Sequence, residues 1–396
     1  MSKKQLGALF LSSLAMFTAG NGLIPLLPIY AIQLGAEAAI AGYYLSFSYF
    51  MLAVGVFIAG WLSDLYQNRK RTLFIAGLLG VLSIWLMGRT TNIWQLTILT
   101  GTTWFLGGMG VALVNILVGL FAEKTERGKI FGIIAMTSSL GALIGGATTG
   151  FLVDRWGFSL MFLGVSIFCL LWPMAALIVE DKTVPKEKKS VKIASAKSRW
   201  LTGGILLLLL ASLIATIAVF VNILGRSLTM NNLNFSAAAI ASTGAVGGAI
   251  ALPLPVLLGW LSDRIGRKLL MIFCYLAGIL SMLILAISTS LWHFWIAASL
   301  ITVLFDVNRG IGSAFVTDLV SEASLGKGIA IFNVMPWIGG ILGFALTGYA
   351  IQSFGITTTF IAAAFLPFIA IIFMISIRQN APAENLDKVP SKIASK

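Results

Sequence analysis

"GWLSD" at residues 60–64 returns unchanged at residues 259–263, 199 positions later, and basic residues follow both copies: "LYQNRKR" after the first and "RIGRK" after the second. The pentapeptide belongs to a longer unit of Gly, three residues, Asp, two residues, Gly. Copies begin at Gly60, Gly150, Gly259 and Gly348. Asp64, Asp154 and Asp263 fill the acidic position, and Gln352 stands there in the last copy. Gly157, Gly266 and Gly355 fill the closing glycine, and Gln67 stands there in the first.

The composition says what surrounds these copies. The chain of 396 residues is 58% hydrophobic and 10% charged, against about 25% charged in an ordinary soluble domain. Runs such as "GILLLLLASLIATIAVFVNIL" at 204–224 reach the roughly 20 apolar residues that a bilayer crossing needs. Twelve such spans are expected, near 6–33, 40–63, 72–88, 93–121, 129–153, 158–179, 200–225, 236–261, 268–288, 292–319, 327–351 and 356–377. Their length and lack of alternation predict helices rather than barrel strands.

Each Gly-Asp-Gly copy closes the second helix of a three-helix group. Three is odd, so successive groups enter the membrane from opposite sides, and four groups make an inverted repeat nested in a parallel one. The fold expected is an all-α membrane protein of two pseudo-symmetric six-helix bundles. Residues 1–180 form the first bundle and 200–378 the second. A polar linker (181–199) joins them, and a tail (379–396) follows.

Charge placement orients this arrangement. Of 27 Lys and Arg, 23 fall on the side that holds both chain ends; Arg89, Arg155 and Arg226 fall on the other, and Arg309 lies inside a span. Positive charge accumulates in the cytoplasm, so both termini are expected there. The net charge of +13 therefore reports topology, and no nucleic-acid partner is expected. Cys169 and Cys274 lie in apolar spans of opposite halves, and His293 is the sole histidine. No metal-ligand cluster, nucleophile–base pairing or phosphate loop is visible, so neither a cofactor nor enzymatic catalysis is expected.

Two charges stand within the tenth span, "IAASLITVLFDVNRGIGSAFV". Asp306 and Arg309 share a helical face at i and i+3. Each costs about 2.5–3.5 kcal/mol at a helix centre, so the pair either neutralises itself structurally or serves substrate and proton binding. Asn21, Asn115, Asn222, Asn308 and Asn333 are candidates for the wall of a central cavity or, equally, for bridges between helices. Trp104 and Trp337 fall at mid-span depth, away from the interfacial belts, where they stack on a substrate or pack.

The second-half copy extends to "GWLSDRIGRKLLM" at 259–271. This stretch resembles, at every fixed position, the G-x-L-x-D-R-x-G-R-[RK] loop signature of the major facilitator superfamily. The first copy departs: Leu65 stands where Arg is usual, and Arg69-Lys70 sits one residue late. The resemblance implies a gating role for Gly60, Asp64, Arg69 and Lys70 and for Gly259, Asp263, Arg264, Gly266, Arg267 and Lys268. The two Asp residues would meet basic residues or helix ends across the cytoplasmic interface. The alternative is turn-forming Asp beside topology-setting cations.

A second likeness is to the proton-coupled drug antiporters of that superfamily. Their fifth-helix pattern G-x8-G-x3-G-P-x2-G-G meets Gly132, Gly141, Gly145, Gly146 in the proline position, Thr149 and Gly150. "PLLP" at 25–28 resembles the P-x-x-P of the same group. Of their fourth-helix pattern only Gly108, Gly110 and Ala112 match. Trp104 replaces its Arg and Gly107 its Gln, so no role passes from that Arg. The resemblance implies a monomeric multidrug-efflux antiporter of a bacterial inner membrane, which exchanges a small lipophilic or drug-like compound for protons by alternating access. An importer, uniporter or lipid or sugar transporter of the same fold is the alternative, and a membrane sensor that no longer transports is a third reading.

Overall fold

The structure, a computed structural model, describes residues 1–123, 125–181, 201–320 and 324–377. The expected tail and all of the expected linker except Asp181 lie outside the described residues. Among the described residues fourteen helices follow one another: α1 (Lys3–Leu23), α2 (Leu27–Gln33), α3 (Ala38–Tyr66), α4 (Arg69–Met87), α5 (Ile93–Phe121), α6 (Arg127–Cys169), α7 (Leu171–Ile178), α8 (Gly203–Asn232), α9 (Ala237–Ala251), α10 (Leu254–Ile265), α11 (Arg267–Ala286), α12 (Leu291–Leu319), α13 (Leu325–Phe354) and α14 (Ile356–Ser376). A lipid-facing backbone must satisfy its own hydrogen bonds, which is why the described chain is built of helices.

Fourteen helices make twelve crossings. Prolines interrupt two of them. Pro25 falls at the break between α1 and α2, with Pro28 in the first turn of α2, and Pro253 falls where α9 and α10 meet at 50°; a proline at such a break withholds an N–H and clashes with the preceding turn. The apolar stretch Arg127–Ile178 runs 52 residues. At 1.5 Å per residue that is about 78 Å, far beyond the roughly 30 Å hydrocarbon core. Gly157, at φ 79° and ψ 171°, reverses it. One crossing precedes Gly157, and the rest of α6 with α7 makes the next.

The closing position of the Gly-Asp-Gly unit explains why the chain repeats it. Gly157 (φ 79°), Gly266 (φ 87°) and Gly355 (φ 81°) all take positive φ with extended ψ, a region that is essentially open to glycine alone. Each lets one crossing turn straight into the next. In the first copy Gln67 sits at φ 53°, ψ 17°, the left-handed helical well that a side chain tolerates better. The departure from glycine at this copy thus goes with a different turn. Gly355→Ala should cost about 1–3 kcal/mol, read as a lowered melting temperature of the purified protein without loss of membrane insertion.

The two halves meet along α6 with α9, and α3 with α13. One buried apolar cluster runs through both halves by way of Tyr49, Phe220 and Phe344, whose rings lie 4.9–5.1 Å apart. A second cluster (Leu9, Met16, Leu73, Leu113, Trp172) belongs to the first half alone. The shared cluster marks where the bundles touch; elsewhere they part around a central space.

Candidate functional site

Contacts between the halves gather toward one end. Asp154, at the close of its crossing in α6, accepts hydrogen bonds from Ala237 N and Ala238 N at 2.8 Å each, capping α9 of the other half. Gln352, its counterpart in α13, accepts from Ala39 N at 3.0 Å and donates to the Glu37 carboxylate at the start of α3. Ser46 Oγ donates to Ile341 O at 2.7 Å nearby. Two copies of the repeated unit therefore do the same work, each fastening the first turn of a helix from the opposite half. A side chain that satisfies such free N–H groups also meets the positive end of the helix dipole.

Glycines let the same helices touch. A Cβ on Gly150 would stand 2.6 Å from Ala238 Cα, and one on Gly146 2.8 Å from Ala241 O, both across the halves. Gly141 and Gly145 press instead on α1 inside their own half, against Phe17, Thr18 and Gly22. Gly132 meets nothing within 4 Å. The antiporter-like glycines thus divide by position into contacts between halves, contacts within a half, and an open end. Gly339, Gly343 and Gly348, 198 residues after Gly141, Gly145 and Gly150, repeat the pattern in α13. The first two press on Thr216, Ile217 and Phe220 of α8, and the last on Ala38 and Gly42 of α3.

The other end carries the basic loops, and there the halves stand apart. A Cβ at Gly60, Gly132 or Gly259 would meet nothing within 4 Å. Asp64 and Asp263 are exposed and make no hydrogen bond or ion pair among the described residues. The neighbouring cations bind within their own halves. Arg69 is buried and donates to Ser63 Oγ at 2.7 Å; it also faces Asp181 at 3.6 Å, while Lys70 N donates to that carboxylate. Arg267 pairs with Asp318 at 2.6 Å and donates to Ala314 O. Lys268 donates to the carbonyls of Ile375 and Ile377 at the end of α14, where a cation suits the helix dipole. Arg264 lies over the Trp260 ring at 3.9 Å.

Between the halves lies a cavity of about 390 Å³, within the size range of drug-sized ligand sites. Trp104, Trp172, Trp337, Tyr49, Phe17, Phe220 and Phe305 give it aromatic walls, and Asn21, Asn333 and Arg309 add polar groups. A second cavity of about 190 Å³ adjoins it, sharing Asn21, Tyr49, Phe220, Phe305 and Arg309 and adding Asp306, Arg226 and Thr243. Asp306 and Arg309 share this smaller space, yet no ion pair joins them. Arg309 sits 5.8 Å from the Phe305 ring centre.

The five asparagines part ways. Asn21 lines both cavities and donates to Ser138 O at 3.0 Å. Asn333 lines the larger one and accepts from Ser313 Oγ. Asn308 is buried and takes the bridging alternative, donating to Ser212 and Thr216 of α8 while accepting from the Tyr275 hydroxyl. Asn222, also buried, donates to Ser281 Oγ and accepts from Arg226. Asn115 is exposed and lines neither cavity. Trp104 and Trp337 both line the larger cavity.

Trp172 and Arg226 are wall residues that the sequence does not single out, as are Phe17, Tyr49, Phe220 and Phe305. Trp172 stands near the middle of its expected span (158–179), at a depth like that of Trp104. Arg226 reads as a charge outside the seventh span. Instead, α8 continues to Asn232 and holds Arg226 at 5% exposure. The run "NILGRSLTMNN" contains no helix breaker other than one glycine, which is the signal that the helix continues.

The family model for the Major Facilitator Superfamily matches residues 9–229 and 208–395. Among curated relatives, "Multidrug resistance protein MdtG" of Salmonella paratyphi A (strain ATCC 9150 / SARB42) is 28% identical over 306 residues, 74% of each chain. The protein of that name from Enterobacter lignolyticus (strain SCF1) is 26% identical over 388 residues, 92% of this chain and 91% of its own. Among solved structures, the nucleoside transporter NupG superposes with a TM-score of 0.79 at 15% identity, over 94% of this chain and 99% of its own, a likeness of fold. Two six-helix halves closed at one end around a central cavity, with a family match that covers nearly all of the sequence, place this chain in the Major Facilitator Superfamily of multi-pass membrane transporters.

Proposed function

We propose that the chain is a proton-driven exporter of small lipophilic or drug-like compounds, acting as a monomer in a bacterial inner membrane with both termini in the cytoplasm. It moves its substrate by alternating access and does no covalent chemistry. The observation that carries this reading is the join between an aromatic cavity and a smaller one lined by Asp306. The first offers a lipophilic compound a desolvated wall, and the second holds the acid that exchanges the proton. With the basic loops in the cytoplasm, as the charge bias directs, the conformation described is open inward and closed outward. The named relatives are multidrug resistance proteins, which supports export.

The inverted repeat extends the reading to the gates. On the outer side Asp154 caps α9. On the inner side Asp263 and Asp64 occupy the equivalent places at the ends of α10 and α3, and would cap the starts of α6 and α13 once the halves rock. The two sides should then respond oppositely. Asp154→Ala removes a cap worth about 0.5–2 kcal/mol and should lower the outward-closed population by about 2- to 30-fold. Asp263→Ala should raise it. Spectroscopic distances between labels on α6 and α9 at the outer end report both. Movement in the same direction by the two variants would remove the capping exchange.

The function itself is tested in proteoliposomes given a panel of lipophilic compounds with and without an imposed pH gradient. Gradient-dependent movement of at least one compound, with proton flux that follows compound addition, is the expected result. Equal movement with and without the gradient for every compound would leave a uniporter.

A further inference from the structure

The smaller cavity has an unusual electrostatic make-up. Arg226 of α8 and Asp306 and Arg309 of α12 all line its roughly 190 Å³, yet none of the three forms an ion pair with another. Charges held together in a membrane interior ordinarily pair with one another. Here the space between them is left for something else.

Arg226 is the most constrained of the three. Its Nη1 donates to Asn222 Oδ1 at 2.7 Å, Asn222 donates to Ser281 Oγ at 2.9 Å, and Ser281 donates to Ala297 O at 2.8 Å. This chain of bonds through α8, α11 and α12 fixes the guanidinium at 5% exposure. Nε has no partner and is sealed from solvent, and Nη2 donates no hydrogen bond either. Nη2 alone is therefore both unpaired and not sealed, a rigid donor at the smaller cavity. A donor of this kind suits a carboxylate oxygen, and an unpaired donor in the protein interior is costly unless something comes to satisfy it.

We infer that the smaller cavity is the head-group site for a zwitterionic amphiphile, whose carboxylate binds Arg226 and Arg309, whose protonated amine binds Asp306, and whose apolar body lies in the aromatic cavity. The charge count favours this class. A simple cation faces two guanidiniums, and a simple anion faces the carboxylate of Asp306. A zwitterion presents each sign to its opposite. The adjoining cavity, with Trp104, Trp172 and Trp337 in its wall, receives the body without a break because the two spaces share Tyr49 and Phe305. The inference rests on the proposed transport role of this site. It is also compatible with proton exchange, since an ammonium on Asp306 and a proton on Asp306 exclude each other.

Four compounds with one body provide the test: 4-phenylphenylalanine, its methyl ester, its N-acetyl derivative, and the N-acetyl methyl ester. Equilibrium binding of each, in radiolabelled form, is measured on the full chain in lipid nanodiscs at neutral pH. The zwitterion should bind about tenfold or more tightly than either singly blocked compound, the scale of a charge-assisted hydrogen bond. Arg226→Gln should bring the zwitterion down toward the level of the ester without weakening the ester, whose amine then faces one guanidinium fewer. Asp306→Asn should bring it down to the level of the N-acetyl compound. Where Arg226→Gln does not fold, Arg226→Lys should keep the preference for the zwitterion and Arg309→Gln should weaken it. Equal binding of all four by the unmodified chain, tighter binding of the ester, or an equal loss for all four in Arg226→Gln would overturn the proposal. The ranking without any gradient-driven movement would uphold the head-group site and remove proton-driven export. Gradient-driven movement without the ranking would do the reverse.

Discussion

Asp306→Asn is expected to bring pH-gradient-driven accumulation down to the level of protein-free vesicles, while exchange of substrate at equal concentrations on the two sides persists. The two measurements separate because exchange needs only a cavity that opens to each side in turn, whereas accumulation also needs a group that carries a proton across. Among the residues of both cavities Asp306 is the only carboxylate. The competing account, a structural Asp306–Arg309 pair, makes a different prediction. Breaking a buried pair strands a charge at about 3–5 kcal/mol, so Asp306→Asn would accumulate poorly as folded protein. No ion pair joins the two residues, and Arg309 is exposed to the space between the halves, so the folded yield should stay near that of the unmodified chain. The double variant Asp306→Asn with Arg309→Gln completes the test. Folded protein that retains full gradient-driven transport would leave proton coupling without a residue.

The fold was legible because its decisive signals are local. A glycine demanded by positive φ leaves the same letter at positions 157, 266 and 355 whatever its neighbours are, and the direction of each crossing follows from counting spans. The cavity wall was only partly legible because the identity of a residue does not reveal which face of a buried helix it occupies. Asn21 and Asn308 both interrupt apolar runs. One lines the cavities and the other bridges α8, α11 and α12, a difference set by which neighbours surround each helix. Arg226 was hidden by a helix end placed seven residues too early, whereas Trp172 stands at mid-span depth like Trp104 and its position was legible. The caps made by Asp154 and Gln352 could not be read at all, because they join residues 83 and 313 positions apart and exist only where the two halves close. Gly339 and Gly343 escaped notice because Ala330 and Phe344 stand where Gly132 and Gly146 stand in the first half, which breaks the spacing that made the earlier set visible.

Three substitutions on α6 should give three different outcomes. A side chain on Gly150 meets the backbone of Ala237 and Ala238, with Ala238 Cα at 2.6 Å from the new Cβ. Helix backbone cannot retreat as a flexible side chain can, so Gly150→Val must push α6 and α9 apart. Overpacking of this kind costs about 1–3 kcal/mol, enough to reduce the closed population at this end by about 5- to 150-fold. Transport should fall in proportion, because the cycle needs both states. Gly132→Val meets nothing in this conformation. Under the proposed rocking of the inverted repeat, however, its end of α6 would pack against α10 when the other side closes, so the same substitution should hold the conformation described here. Gly141→Val lies within the first half, where its Cβ would be 2.7 Å from the backbone of Phe17 and Thr18 on α1. It should lower the melting temperature while leaving the balance between states unchanged. Reagent accessibility of a cysteine placed at Asn21, probed separately from each side of the membrane, distinguishes the three. Access should shift to the end near Asp154 for Gly150→Val, shift toward the basic end for Gly132→Val, and stay as in the unmodified chain for Gly141→Val. If Gly150→Val and Gly132→Val move access in the same direction, the two ends of α6 are not alternating contacts, and the rocking of the halves must be built on other helices.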